Sequence, residues 1–251
     1  MQANTIREVI SCLDEVIQSC KGKSSRLGYF ASLYKAMTSG VQTGIEQGAF
    51  EDGARMERLD VAFANRYLDA YTDYVSGKLA THSWMHAFKA AEQKNLTVVQ
   101  HLLLGINAHI NLDLGIATAS VFTPDNIESL HHDYNQINEV IANVYNSMDN
   151  ALRKISWTAV FLKSLDTGGT HSVINFSIQK ARDTAWSNAQ LLTGMDISQA
   201  DQVIRTTDAV ISKVATAIQN PVGIIQWLTK SILLFESNDI RKNISILNEG
   251  D

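Results

Sequence analysis

The stretch from Val98 to Val121, VVQHLLLGINAHINLDLGIATASV, constrains this chain more than any other. Its apolar residues fall on every side of a helix rather than along one stripe, the pattern of a helix surrounded by protein. Yet it carries His101, Asn107, His109, Asn111 and Asp113. Polar groups there need partners, because burying them unpaired is expensive. The stretch has the length of a membrane span, but two histidines, two asparagines and an aspartate make it a poor one. It is expected at the centre of a helical core.

The rest of the chain supplies helices to enclose it. Ile6, Val9, Ile10, Leu13, Val16 and Ile17 make one helical stripe, and Leu27, Phe30, Leu33, Tyr34, Met37, Val41 and Ile45 make a second. Gly40, Gly44 and Gly48 fall four apart. They suit either close approach of another helix or a weakened helix end. From Met56 to Gly77 the buried stripe is Leu59, Ala62, Phe63, Tyr67 and Ala70, with Asp60, Asn65 and Arg66 the polar residues closest to it. Ser83 can cap a short helix holding Trp84 and Phe88.

Thr123-Pro124 reads as a cap followed by a first helical position, opening a helix to about Met148. Ala151–Leu165 continues helical, and Asp166-Thr-Gly-Gly is a turn. Further helices follow from Thr170 to Leu192, Gln199 to Gln219 and Val222 to Phe235. Only 2 prolines occur, and no alternating run long enough for a sheet. The expectation is an all-α, multi-helix bundle of nine or ten helices around the buried helix 98–121. Residues 1–236 read as a single domain and 237–251 as a loosely held polar tail.

Hydrophobic residues make up 45% of the 251 and charged residues 19%, enough for a sizeable core. With a formal net charge of −5 and no basic run, a nucleic-acid partner is disfavoured. Cys12 and Cys20 form no metal-ligand spacing with histidines. The polar start, MQANTIREVI, lacks the order of a signal peptide, so a cytoplasmic location is expected.

The chemistry-bearing candidates lie in and beside the central helix. At about 100° per residue His109 and Asp113 are neighbours one turn apart, and Asn107 and Asn111 form a second such pair on another side. In the next helix Asp133 falls on the apolar stripe of Leu130, Ile137, Val140, Ile141 and Val144, with Asn138 on a neighbouring side. If the two helices run antiparallel, Asp133 comes near Asp113 or His109. Asn175, Arg182 and Trp186 share a face of a later helix, where the arginine could neutralise an inward aspartate or clamp an anionic ligand.

These groups admit three accounts. His109, Asp113 and Asp133 could ligate one divalent metal such as zinc, manganese or iron. Without metal, Asp113 could orient His109 for general acid/base work. Or the cluster could be a satisfied core network with no chemistry. Elbow, phosphate-loop and His-Glu-x-x-His signatures are missing from the sequence, and so are the paired Glu-x-x-His motifs of the di-iron bundles.

FANRYLDAY (63–71), LLLGINAHINLDLGIA (102–117), the spaced Asp133 and Ile137-Asn138, and NFSI with ARDTAW (175–186) resemble an uncharacterised bacterial family of all-helical domains known only as a domain of unknown function. The resemblance runs from about Arg55 to Leu192. It implies an all-helical fold and a cluster of special polar positions, and brings no activity with it. A weaker likeness is to helical zinc-dependent phospholipases and related nucleases, which use His-x-x-x-Asp on helices. This chain lacks their N-terminal tryptophan ligand and a second set of histidines.

Two functional expectations result. One is a helical enzyme, metal-dependent or not, acting on a small or amphipathic molecule in a central cavity. His109, Asp113 and Asp133 are then its ligands or acid/base groups, and Asn107, Asn138, Arg182 and Trp186 hold substrate. The other is a non-catalytic binding or scaffold domain. Either is compatible with a homo-oligomer.

Overall fold

The structure, a computed structural model, describes residues 1–156 and 170–249, with side chains throughout these except at 145, 146 and 170–177. The expected helix beyond Ser156, the turn at Asp166, Trp157 and the side chain of Asn175 lie outside the described residues.

Among the described residues the chain forms ten α-helices and no strand. They are α1 (Ile6–Lys23), α2 (Leu27–Glu46), α3 (Gly53–Val75), α4 (His82–Ala91) and α5 (Val98–Val121). After a 3-10 turn at Ile127–Leu130 come α6 (His131–Ile155), α7 (Thr170–Thr193), α8 (Ile197–Gln219), α9 (Gly223–Phe235) and α10 (Ile240–Glu249). The fold is an all-α multi-helix bundle, as the periodicity predicts.

Helix α5 starts at a capping box. Thr97 Oγ1 accepts from the backbone of Gln100, whose side chain returns a bond to the backbone of Thr97. The helix is enclosed as its all-round apolarity requires. Helices α2 and α3 pack beside it, α4 and α8 cover its first half, and α7 runs along its second half. By length and composition α5 could cross a membrane, but about two thirds of its most apolar window is buried inside the protein. Gly115 is the point of closest approach to α7: a Cβ there would sit 3.0 Å from the carbonyl oxygen of Ala185. Gly40 does the same for α6, since its Cβ would lie 2.8 Å from Val140 Cγ1. That decides for close helix approach at Gly40, while Gly48, with φ +68°, follows the end of α2.

Carboxylates from distant elements bind at three helix starts, as caps for α4 and α5 and at the turn before α3, whose own cap is Asp52 accepting from the Arg55 N–H at 2.9 Å. Asp133 of α6 accepts from the backbone N–H of Glu51 and Asp52 before α3, at 2.7 and 3.1 Å. Asp208 of α8 accepts from His82 and Ser83 at the start of α4, at 2.7 and 2.9 Å. Glu236, after α9, accepts from Val98 at the start of α5, at 2.9 Å. Each satisfies orphan donors and places negative charge at a positive helix end. The helix expected to be capped by Ser83 therefore begins two residues earlier, at His82, and takes its cap from α8.

Two further expectations are corrected. The helix after Pro124 begins at His131, because Asn126 closes a tighter turn by accepting from the backbone of Thr123 at 2.8 Å. The region expected to be a loose tail contains α10, which packs on α1, α2 and α6. Ile244 and Leu247 are fully enclosed there, so the polarity of 237–251 belongs to one face only. Trp227 stands 66% exposed on α9.

Candidate functional site

The middle of α5 is not α-helical. Residues His109–Asp113 form one π turn, closed by a bond from the Leu114 N–H to the His109 carbonyl. Such a wider turn is rare and recurs at functional sites. Here it aligns two buried side chains, with His109 Nδ1 lying 3.3 Å from Asp113 Oδ2.

Asp113 is held from two other helices. The Trp84 indole N–H of α4 donates to Oδ2 at 2.7 Å, and Arg66 Nε of α3 donates to Oδ1 at 3.2 Å. A carboxylate can only accept, so the imidazole proton belongs on Nδ1 and the lone pair on Nε2. Nε2 is buried and without a protein partner. Phe63 stacks on the ring, its centroid 3.6 Å away and 7° from parallel, and Tyr34 meets it edge-on at 4.4 Å. Burial pushes His109 below the ordinary imidazole range against the opposing pull of Asp113. The ring is therefore neutral at pH 7, an acceptor fixed in one orientation.

His109 lines a cavity of about 90 Å³ enclosed by α2, α3, α5, α6 and α7. Most of its wall is apolar, including Phe30, Leu59, Phe63 and Ile110. Leu33, Met37, Ile106, Ile137 and Ile141 are its half-buried members. Tyr34, Thr38, Asp60, Tyr134 and Arg182 are the other polar side chains on this wall. Asp60 Oδ2 and Arg182 Nε are buried without a partner, and Tyr34 Oη and Thr38 Oγ1 are buried with at most each other. Burial, aided by Glu57, pushes the Asp60 carboxyl up to about 7. Burial likewise raises Tyr34 well above the phenol range, so it keeps its proton. Buried polar atoms are ordinarily paired, and a group of unpaired ones around one cavity is the arrangement a ligand completes.

The expected site residues divide. His109 and Asp113 come together, and Arg182 reaches the same cavity wall. Asp133 does not join them. Burial disfavours its charge, but Arg55 Nη2 at 2.6 Å and the two backbone N–H groups hold its carboxyl below the usual range. It ties α6 to the start of α3. Asn107 donates to the Ile211 carbonyl at 3.1 Å and accepts from Asn111 at 3.0 Å, which joins α5 to α8. Trp186 stacks on His131 at 4.7 Å. Asn138 has a buried, unpartnered Oδ1. Neither Asn107, Asn138 nor Trp186 lines the cavity.

The three proposed metal ligands thus do not converge, and Asp113 already receives three donors. Among the described residues no three His, Cys, Asp or Glu side chains group as a metal site would require. The roles of Trp84, Arg66 and Tyr34 were not legible in the sequence. The one signal for Asp60 and Arg66 was their position beside the apolar stripe of α3.

His101, a full two turns before His109, serves a different place. Its ring meets Tyr29 edge-on at 5.8 Å, and neither nitrogen has a partner. Burial, aided by Arg26, lowers it to about 4.

A family model of unknown function, DUF5995, matches residues 6–221, which include α1 to α8 and the whole site. The chain belongs to that family. The family's extent exceeds the span that the motifs around His109 suggest, reaching back to α1 and on to the end of α8. No curated protein and no solved structure matches the chain.

Proposed function

We propose that this DUF5995 member binds a small amphipathic molecule in the cavity beside α5 and acts on it with His109 as a general base. The observation that carries this reading is His109 itself. One nitrogen is tied to Asp113, the other is unpaired, and the residue stands on the wall of the cavity. An imidazole held neutral and oriented by a carboxylate is the arrangement that proton abstraction needs. Tyr34 and Asp60, both able to carry a proton at neutral pH or just below, supply hydrogen-bond donors on the same wall. Metal chemistry is not part of this proposal, because Asp133 is committed to Arg55 and the turn before α3.

The test is ligand-detected NMR with ring-¹⁵N-labelled histidine and a panel of small amphipathic molecules. The expected result is that one or more members shift the Nε2 resonance of His109, and that Ile137→Trp, which fills the cavity, abolishes the shift. A panel that leaves Nε2 unmoved in the wild-type protein overturns the reading.

The competing account, a purely structural network, draws on Asp113, whose oxygens already receive Trp84, Arg66 and His109. It is favoured if His109→Phe, which preserves the stack on Phe63, changes melting temperature but no ligand response.

A further inference from the structure

Arg182 is a buried cation with no ion-pair partner among the described residues. It is 5% exposed, and the cavity beside α5 is where it lies. Its guanidinium rests over the Tyr134 ring, with Cζ 4.3 Å from the centroid, and one Nη donates to the Tyr134 carbonyl. In return Tyr134 Oη donates to the Arg182 carbonyl at 2.9 Å. Those contacts fasten α6 to α7, but they bring no negative charge. Nε remains unpartnered, and no carboxylate among the described residues forms an ion pair with Arg182. Buried guanidinium groups ordinarily meet a carboxylate or phosphate, because the unpaired charge is costly to desolvate.

The other groups on the wall do not cancel this charge. Asp113 lies behind His109 and is matched by Arg66. Asp60 shares the wall without pairing with Arg182, and its burial favours the neutral acid. His109 is neutral. Below about pH 7 the cavity thus offers one positive charge that has no ion-pair partner among the described residues, on a wall that is mostly apolar. Phosphate, with close to two charges and a shell of oxygens, needs more donors than this wall provides. A carboxylate on a short alkyl chain matches one cation and an apolar remainder. Size sets a second limit. An engineered cavity of about 150 Å³ holds benzene, so about 90 Å³ scales to roughly four non-hydrogen atoms, the size of acetate, with propionate at the upper limit.

We propose that the cavity takes a short-chain monocarboxylate of acetate to propionate size, its carboxylate against Arg182 and its alkyl end among Phe30, Leu33, Ile110 and Ile137. This deepens the proposed function and rests on it: the same cavity presents the ligand to His109.

The test is titration of the full chain with acetate, propionate, acetamide and propionamide, followed by NMR. The expected result is that the acids bind at least about tenfold more tightly than the amides, as a charge-assisted pair requires. Arg182→Met should remove that preference. Arg182→Lys keeps the charge without the planar fork, and should retain the preference at reduced affinity. It also serves if the methionine variant fails to fold. Equal binding of acid and amide by the wild-type protein overturns the carboxylate assignment and leaves the cavity reading standing. Binding of the amides alone does the same. If none of the four probes binds while larger neutral amphiphiles shift His109, the ligand class is wrong. If nothing shifts His109, both readings fall.

Discussion

The Trp84 indole N–H donates to Asp113 Oδ2, the same oxygen that faces His109 Nδ1. One carboxylate atom on a π turn thereby couples the ring of α4 to the imidazole of α5, while its other oxygen takes Arg66 of α3. Replacing Asp113 by Asn keeps the shape but offers an amide N–H₂ where an acceptor is needed. A buried donor is then left unpaired, at a cost of about 1–3 kcal/mol. Urea denaturation of Asp113→Asn should show that loss, and ring-¹⁵N spectra should show His109 sampling both tautomers. An unchanged tautomer would mean that Asp113 does not orient the ring.

Asp133 was expected to share in the chemistry and instead holds the turn before α3. Its carboxylate is fully enclosed and pairs with an Arg55 that is itself mostly buried. Asp133→Ala leaves Arg55 and two backbone N–H groups without their acceptor, which should cost about 3–5 kcal/mol. Ligand binding in the cavity should survive wherever the variant is folded. A loss of binding at unchanged stability would instead place Asp133 in the site.

Acid should weaken the fold through His101. Its folded pKa of about 4 lies below the ordinary 6.5, so the unfolded chain binds the proton more readily between those values. The contribution is complete above pH 6.5 and is lost as pH falls toward 4, by about 3 kcal/mol. His101→Leu should flatten that acid limb in denaturation curves at pH 4.5, 5.5 and 7.5. An unaltered slope would show that His101 titrates normally.

Asp60 works in the opposite direction. Its folded pKa of about 7 lies above the model-peptide 3.8, so the folded state holds the proton more tightly. That contribution is complete below about pH 4 and is lost as pH rises through 7, by about 4 kcal/mol. Asp60→Asn, which stays neutral, should therefore gain on the wild-type protein as pH climbs from 4.5 to 8. Parallel curves for the two proteins would rule out a raised carboxyl.

Helix α10 should be indispensable. Ile244 and Leu247 are 0% and 1% exposed, and each buried aliphatic side chain contributes about 1.5–3 kcal/mol. Truncation after Glu236 should lower stability by several kcal/mol, read as a drop in the urea midpoint. A truncated chain with an unchanged midpoint would show that 237–249 only rests on the surface.

Apolar periodicity alone led to the all-helical class, to the helix at 98–121 and to its place inside the bundle. An all-round apolar helix has no stable position except within protein. The pairing of His109 with Asp113 was equally local, because residues four apart on a helix are neighbours whatever lies outside. What Asp133, Asp208 and Glu236 do could not be read in this way. Each binds a helix end more than eighty residues away, and no spacing rule reports which helix end a carboxylate will meet. The same holds for Arg182. Its face could be placed from the sequence, but only the packing of α6 and α7 decided that no carboxylate among the described residues would pair with it and that it would line a cavity.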